Sequence, residues 1–422
     1  MAITNRIAVP MREASRLPLT KIDIVKLVLV ALFGAVLAYA AAASALTSVA
    51  RSKNYETALA IDGSDPTALT VKADIVFLAR QDRASLQLVK WLARASLRSQ
   101  AVNPRALRLI AYADDGLLVE PKSKMFIDMA SSLSRRELGA QVWLIEKSVA
   151  ADDAIGALRH YDIALRTSSA IQIPLYTQLT AGIELPIIRQ ALMPYVRADT
   201  PWMRAFLTYA IGNSANPASI AAVVEAAGGM PNDEAYHDLE TMLLSQLVAR
   251  GKHAVARKYY LGLRDAKPDV LTSLAFDPSN TAARSGPLAW QPLQGAAVGA
   301  GWSGDSGKPT LAIFANSGER GVVAQKWLFL EPGRYLIRVK YGESRMPRTS
   351  SIQWTLSCVA GMDGKIFWQS GLLRPSTGQV TSHAVDVGAA CPSQNIGIAM
   401  AGGQDQNGAE LTIDASAVAR LP

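Results

Sequence analysis

Histidine and cysteine are scarce in this chain of 422 residues, with four of the first and two of the second. His160, His237, His253 and His383 stand far apart, and neither an HExxH pattern nor a Cys/His cluster occurs, so there is no ligand set for zinc and no cofactor to expect. A GxxxxGK[ST] loop is missing too: residues 304–308 bring together some of the same residue types without the spacing that cradles a phosphate. The net charge of +8 comes without a zinc finger or a dense basic stripe. Much of the excess lies in Arg6, Arg12, Arg16, Lys21 and Lys26, opposed locally only by Glu13 and Asp23, which argues against nucleic acid as a partner. With half of its residues apolar, 30 Gly and 21 Pro, the chain is neither disordered nor collagen-like, and its length suffices for two or three domains.

What is present starts with an apolar run. "LVLVALFGAVLAYAAAASAL", Leu27 to Leu46, is twenty residues without a charge. At about 1.5 Å per residue that length matches a hydrocarbon layer of roughly 30 Å, and it predicts a transmembrane helix over 27–46. Basic residues dominate the tail 1–26, while only Arg51 and Lys53 follow in the short linker 47–61. The positive-inside pattern then implies a single-pass inner-membrane protein, with a cytoplasmic amino terminus and the main domains in the periplasm. The alternative is a cleaved signal peptide, for which "AAASAL" supplies small residues; the long tail and the length of the run weigh against it. Both readings export the rest of the chain. Cys358 and Cys391 lie in one candidate β domain and are expected to form a structural disulfide in that compartment.

From 62 to 275 the pattern is helical. Asp65-Pro66 and Asn103-Pro104 each read as a cap followed by proline in a first turn. In "SRRELGAQVWLIEKSVAADDAIGALRHYDIALRTS", residues 134–168, Leu138, Val142, Ile145 and Val149 recur at helical spacing, and Ala154, Ala157, Leu158, Tyr161 and Leu165 do so after a break at Asp152 and Asp153. Further helices are expected over 183–195, 202–211, 217–228 and 232–250, with another short one at "KHAVARKYYLGLR". The segment 134–168 resembles a tetratricopeptide-type helical hairpin, "GALRHYDIALRT" standing for its second helix. The resemblance implies a stacked-helix solenoid that binds a protein, with Glu137, Trp143 and His160 as candidate contacts. No complete series of consensus repeats follows, so the repeat count stays open.

Residues 276–308, rich in Gly, Pro, Ser and Asn, read as a linker and domain-entry loop. Beyond it, short β-branched and aromatic segments at 311–315, 322–330, 335–341, 351–358, 366–369, 381–387, 396–401 and 410–413 alternate with turn residues, which predicts an antiparallel sandwich over 309–422. In "FLEPGRYLIRVKY" the residues Tyr335, Ile337, Val339 and Tyr341 share one face, while Arg334, Arg338 and Lys340 share the other. This stretch and "SIQWTLSC" resemble exported β-sandwich modules of the carbohydrate-binding or jelly-roll type. That likeness makes Trp302, Arg338 and Lys340 the candidate glycan contacts.

The fold class expected is therefore multidomain α plus β: a transmembrane helix, a tetratricopeptide-like α-solenoid and a jelly-roll-like β-sandwich. The order resembles accessory proteins of bacterial envelope or exopolysaccharide assembly. It implies a membrane-anchored periplasmic adaptor whose partners are an envelope-assembly protein, a polysaccharide and the inner membrane. No catalytic set is visible, so the chain is read as not an enzyme. The alternatives are a carbohydrate-active enzyme, drawing on Asp363, Asp386, Asp405 and Asp414, and a purely structural envelope protein.

Overall fold

The computed structural model describes residues 32–38, 41–42, 45–46, 48–50, 54–118, 122–279, 285–304, 308–360, 363–404 and 408–422. The fold is α+β, and the chain divides into two compact units, Met1–Leu144 and Ile145–Pro422.

The first unit holds α1 (Tyr55–Ile61), α2 (Pro66–Ala79), α3 (Arg83–Ser99), α4 (Pro104–Gly116), α5 (Lys122–Leu133) and the start of α6 (Leu138–Ala150). Asn54, Asp65, Asp82 and Asn103 open the first four of these helices, their side-chain oxygens accepting first-turn N–H groups that have no carbonyl partner inside the helix. Leu69 and Ala73 of α2, Leu86, Val89 and Leu92 of α3 and Leu109 of α4 close one apolar core. A second core joins Leu107 and Ile127 to Ala140 and Trp143. Between α2, α4 and α6 lies buried Arg108, which donates from Nη2 to Asp74 Oδ1 at 2.7 Å and from Nε to Glu137 Oε1 at 2.7 Å. Its guanidinium lies 5.0 Å from the ring centroid of Tyr112, whose hydroxyl donates to the Gly139 carbonyl at 2.7 Å. Glycine is needed at 139, because a Cβ there would come within 2.3 Å of Arg108 Cδ.

The second unit holds α7 (Ala154–Thr167), α8 (Gln172–Gly182), α9 (Pro186–Arg197), α10 (Met203–Asn213), α11 (Pro217–Ala227), α12 (Glu234–Ala249) and α13 (His253–Leu261). Among the described residues ten strands follow: β1 (Gln291–Pro292), β2 (Val298–Ser303), β3 (Thr310–Ala315), β4 (Arg320–Leu328), β5 (Gly333–Arg345), β6 (Ser351–Ala360), β7 (Asp363–Gln369), β8 (Val380–Val387), β9 (Gln394–Ala401) and β10 (Ala409–Arg420). They form two antiparallel sheets, ordered β1-β4-β9-β6-β7 and β2-β3-β10-β5-β8. Strand alternation sends Leu311, Ile313, Tyr341, Ile396, Ile398 and Trp354 into one shared core. A strap over residues 268–277 covers one end of this core. Its Leu274 carbonyl accepts from Trp290 Nε1 at 2.9 Å and from Ser416 Oγ of β10, and its Leu271 carbonyl accepts from Phe329 N. Helix α13 packs on the sandwich through His253, stacked on Trp327 of β4 at 4.6 Å. Cys358 of β6 and Cys391 ahead of β9 are joined in a disulfide.

One expectation is corrected. Among the described residues no helix is long and apolar enough to cross a membrane. Of the stretch expected to span, 27–31, 39–40 and 43–44 lie outside the described residues. The longest described helix, α3, has 17 residues and carries Arg83, Lys90, Arg94 and Arg98 along its length. The assignment as a single-pass inner-membrane protein with periplasmic domains falls with the span.

Candidate functional site

The outer face of the β2-β3-β10-β5-β8 sheet holds a groove of about 700 Å³. Alternation along β3 buries Leu311 and Ile313 and turns Ala312 and Phe314 outward. On β2, Gly299 pairs with Phe314 and Gly301 with Ala312. A Cβ at Gly299 would lie 2.9 Å from the Phe314 ring, so the missing side chain lets that ring settle across the neighbouring strand, and the space above Gly301 stays open. These small residues and one aromatic ring form the floor.

The walls are polar. Glu410 and Thr412 face outward from β10, and Arg345 of β5 donates to Glu410 Oε2 at 3.0 Å. Glu343 and Ser344 line the same groove, with Ser344 Oγ donating to the Pro375 carbonyl at 2.7 Å and Ser344 N to Thr377 Oγ1 at 3.2 Å. Beside it, Gly342 leaves room for β10: a Cβ there would meet Asp414 Oδ1 at 2.1 Å and Thr412 Oγ1 at 2.3 Å. The arrangement offers an apolar ring beside carboxylate, guanidinium and hydroxyl groups, a combination suited to a ligand with one carbon-bound face and a rim of hydroxyls.

Of the candidate glycan residues, Lys340 sits on this outer face, 3.4 Å from Asp414, and Arg338 is exposed on it two residues earlier. Trp302 is directed elsewhere. It pairs with Leu311 on the inner side of its sheet and meets Phe276 of the strap at 5.7 Å, so its ring helps to close the sandwich. The sequence reading passed over Phe314, Glu343, Arg345 and Glu410. Glu410 could have been found from the alternation that located Arg338, but Phe314 depends on a strand whose glycines read as linker.

The candidate partner residues are mostly enclosed. Glu137 is held by Arg108, Trp143 is 7% exposed with Nε1 donating to Asp115 at 3.3 Å, and His160 is 9% exposed on the packed face of α7. Neighbouring Tyr161 donates to Gln178 Oε1 at 3.0 Å, and burial pushes its phenol up to about 12. The sequence reading did not single out Trp91, which is 59% exposed on α3 one turn from exposed Leu88, opposite the buried set Leu86, Val89 and Leu92. Among the described residues no group of three or more His, Cys, Asp or Glu side chains is placed to hold a metal ion.

No protein-family model matches the sequence, and no curated protein matches it. The expected tetratricopeptide and envelope-assembly families thus find no match. Carbohydrate-binding modules are among the solved structures that match part of the chain. A CBM4 module is 14% identical with a TM-score of 0.25, the match covering 35% of this chain and 94% of that one. The CBM22-1 xylan-binding domain from Paenibacillus barcinonensis Xyn10C is 12% identical with a TM-score of 0.26, covering 36% and 93%. TmCBM61, solved with β-1,4-galactotriose, is 12% identical with a TM-score of 0.23, covering 38% and 97%. At these identities and scores the likeness speaks to neither ligand nor residue role.

Proposed function

We propose that the chain is a non-catalytic adaptor: its sandwich binds a polysaccharide along the groove on β2, β3, β10 and β5, and its helices bind a protein of polysaccharide assembly. The lining of the groove carries this reading. Phe314 offers a ring to the carbon-bound face of a sugar, and Glu343, Arg345, Glu410 and Thr412 offer hydrogen bonds to its hydroxyls. Three outer-face carboxylates are paired with cations: Glu410 with Arg345, Asp414 with Lys340, and Asp386 with Arg334 at 3.8 Å. Asp405 lies outside the described residues, as does the side chain of Asp363. For the helical part, the outward apolar pair Leu88 and Trp91 on α3 supplies a contact of the kind that anchors protein interfaces.

Affinity electrophoresis of the full chain through gels of xylan, β-1,4-galactan, β-glucan and a uronic-acid polymer tests the glycan half. Retardation in at least one gel is expected, weakened roughly tenfold by Phe314→Ala and by Glu410→Gln. Unretarded migration in all of them, or retardation indifferent to both substitutions, rejects the reading.

A further inference from the structure

Lys326 is the one buried lysine among the described residues, with 3% of its surface exposed. On β4 it pairs with Ile396 of β9 and so shares the inner face of its sheet with that fully buried side chain. Its aliphatic stem therefore runs into the end of the sandwich that the strap covers. There it lines a cavity of about 140 Å³ with Trp290 as one wall and Asp269, Ser273 and Asp277 as strap-side groups. On that rim Asp277 pairs with Lys267 at 4.0 Å. Burial pushes the Lys326 ammonium down to about 8, against a smaller opposing pull from Asp269 and Asp277. About a tenth of such an amine is neutral at pH 7 and about half at pH 8, whereas an ordinary surface lysine is almost wholly protonated at both.

We propose that Lys326 is a carbonyl-trapping amine, and that its cavity accepts a small hydroxyaldehyde as an imine on Nζ. The cavity sets the size. Its volume is close to that of a ~150 Å³ cavity that takes up benzene, with room for about six non-hydrogen atoms, enough for a two-carbon hydroxyaldehyde and about half of what a hexose needs. The lining sets the class: Trp290 covers the carbon side, and Ser273 with the two carboxylates can take a hydroxyl. In the step itself the Nζ lone pair attacks the carbonyl carbon, and the carbonyl oxygen takes up a proton to give a carbinolamine. The C–O bond then breaks as that hydroxyl takes a second proton, relayed from water by Asp269 or Asp277, and leaves as water, the nitrogen keeping one hydrogen as a protonated imine. The products are one imine and one water, with no change of oxidation state. A protonated imine keeps its positive charge beside two carboxylates, so the site that receives the amine also suits the product.

The test is reductive labelling of the full-length folded protein with glycolaldehyde and sodium cyanoborohydride at pH 8, followed by peptide mass mapping over time. Lys326 should be alkylated at least tenfold faster than exposed Lys340 and Lys365. At that pH about half of its amine is neutral, against well under ~1% for a lysine near pKa 10.4. The advantage should vanish in urea, and glucose in place of glycolaldehyde should give Lys326 no lead. Labelling of Lys326 no faster than Lys340, a lead that persists in the unfolded chain, or an equal lead with glucose each overturns the proposal, and none of these depends on a variant that must fold.

Discussion

At the scale of single residues, Lys326 links the stability of the sandwich to pH. Its folded-state pKa lies below the value of about 10.4 expected of an unfolded chain, so between the two the unfolded state holds more protons and stability rises with pH. The unfolding free energy from urea titration should climb by about 1.4 kcal/mol per pH unit between roughly 8 and 9.5. At higher pH the phenols of Tyr161, Tyr236 and Tyr259, raised by burial, pull the other way. Lys326→Met should remove the climb and stabilise the protein at pH 7 by ~1–3 kcal/mol, since a methionine leaves no ammonium to desolvate. A variant with the same slope as the parent would contradict this. Trp354 tests packing instead. Fully buried, it donates from Nε1 to the Tyr341 hydroxyl at 3.1 Å and meets Trp290 edge-on at 5.9 Å. Trp354→Ala should cost about 3–5 kcal/mol in the same titration. The sequence shows which residues are tryptophan but not which way a loop-like ring points, and Trp302 turned inward because Phe276 of the strap comes to meet it.

Among elements, the buried arginine of the first unit fixes how three helices meet. Arg108 on α4 reaches Asp74 on α2 and Glu137 just ahead of α6. Removing it alone takes this cation from partly buried Glu137, while Asp74 keeps its pair with Arg105, so Arg108→Met should destabilise by ~3–5 kcal/mol, and adding Glu137→Gln should recover part of the loss. A double variant no better than the single one would show that the arginine acts through its packing. The disulfide closes the 33-residue separation between Cys358 and Cys391, and reduction should lower stability by about 3–4 kcal/mol, read as a shift of the denaturation midpoint with and without reductant. Much of this level was legible in the sequence. Asp65-Pro66, Asn103-Pro104 and Asp153 do open helices, because a short polar side chain bonding a free first-turn N–H is a local event. Of the elements that were not legible, among them α5 and β1, two show why. Helix α8 carries Ile173 outward as well as Leu175, Tyr176 and Leu179 inward, which leaves no one-sided stripe to read. Strand β2 is written in glycines that read as linker, yet Gly299 is what seats Phe314, a contact fixed only by a partner strand.

For the molecule as a whole, the sandwich depends on chain that precedes its main run of strands. Leu274, Trp290 and Ala300 belong to the same core cluster as Ile313 and Trp354. A fragment of residues 309–422 lacks these three, along with β1 and β2, and should show no cooperative thermal transition, whereas a fragment of 268–422 should show one. Equal cooperativity in both would mean that the strap only decorates the core. The outer face was legible at this scale, since Arg338 and Lys340 lie on an alternating strand, but the groove beside them required the strand order. That order has a further consequence for synthesis. β10 is made after every other strand, yet it lies between β3 and β5 in the middle of its sheet. A nascent chain emerging from the ribosome therefore carries β3 and β5 with open edges until their shared neighbour arrives, and a pause in translation ahead of Ala409 leaves those edges exposed to pairing with another chain.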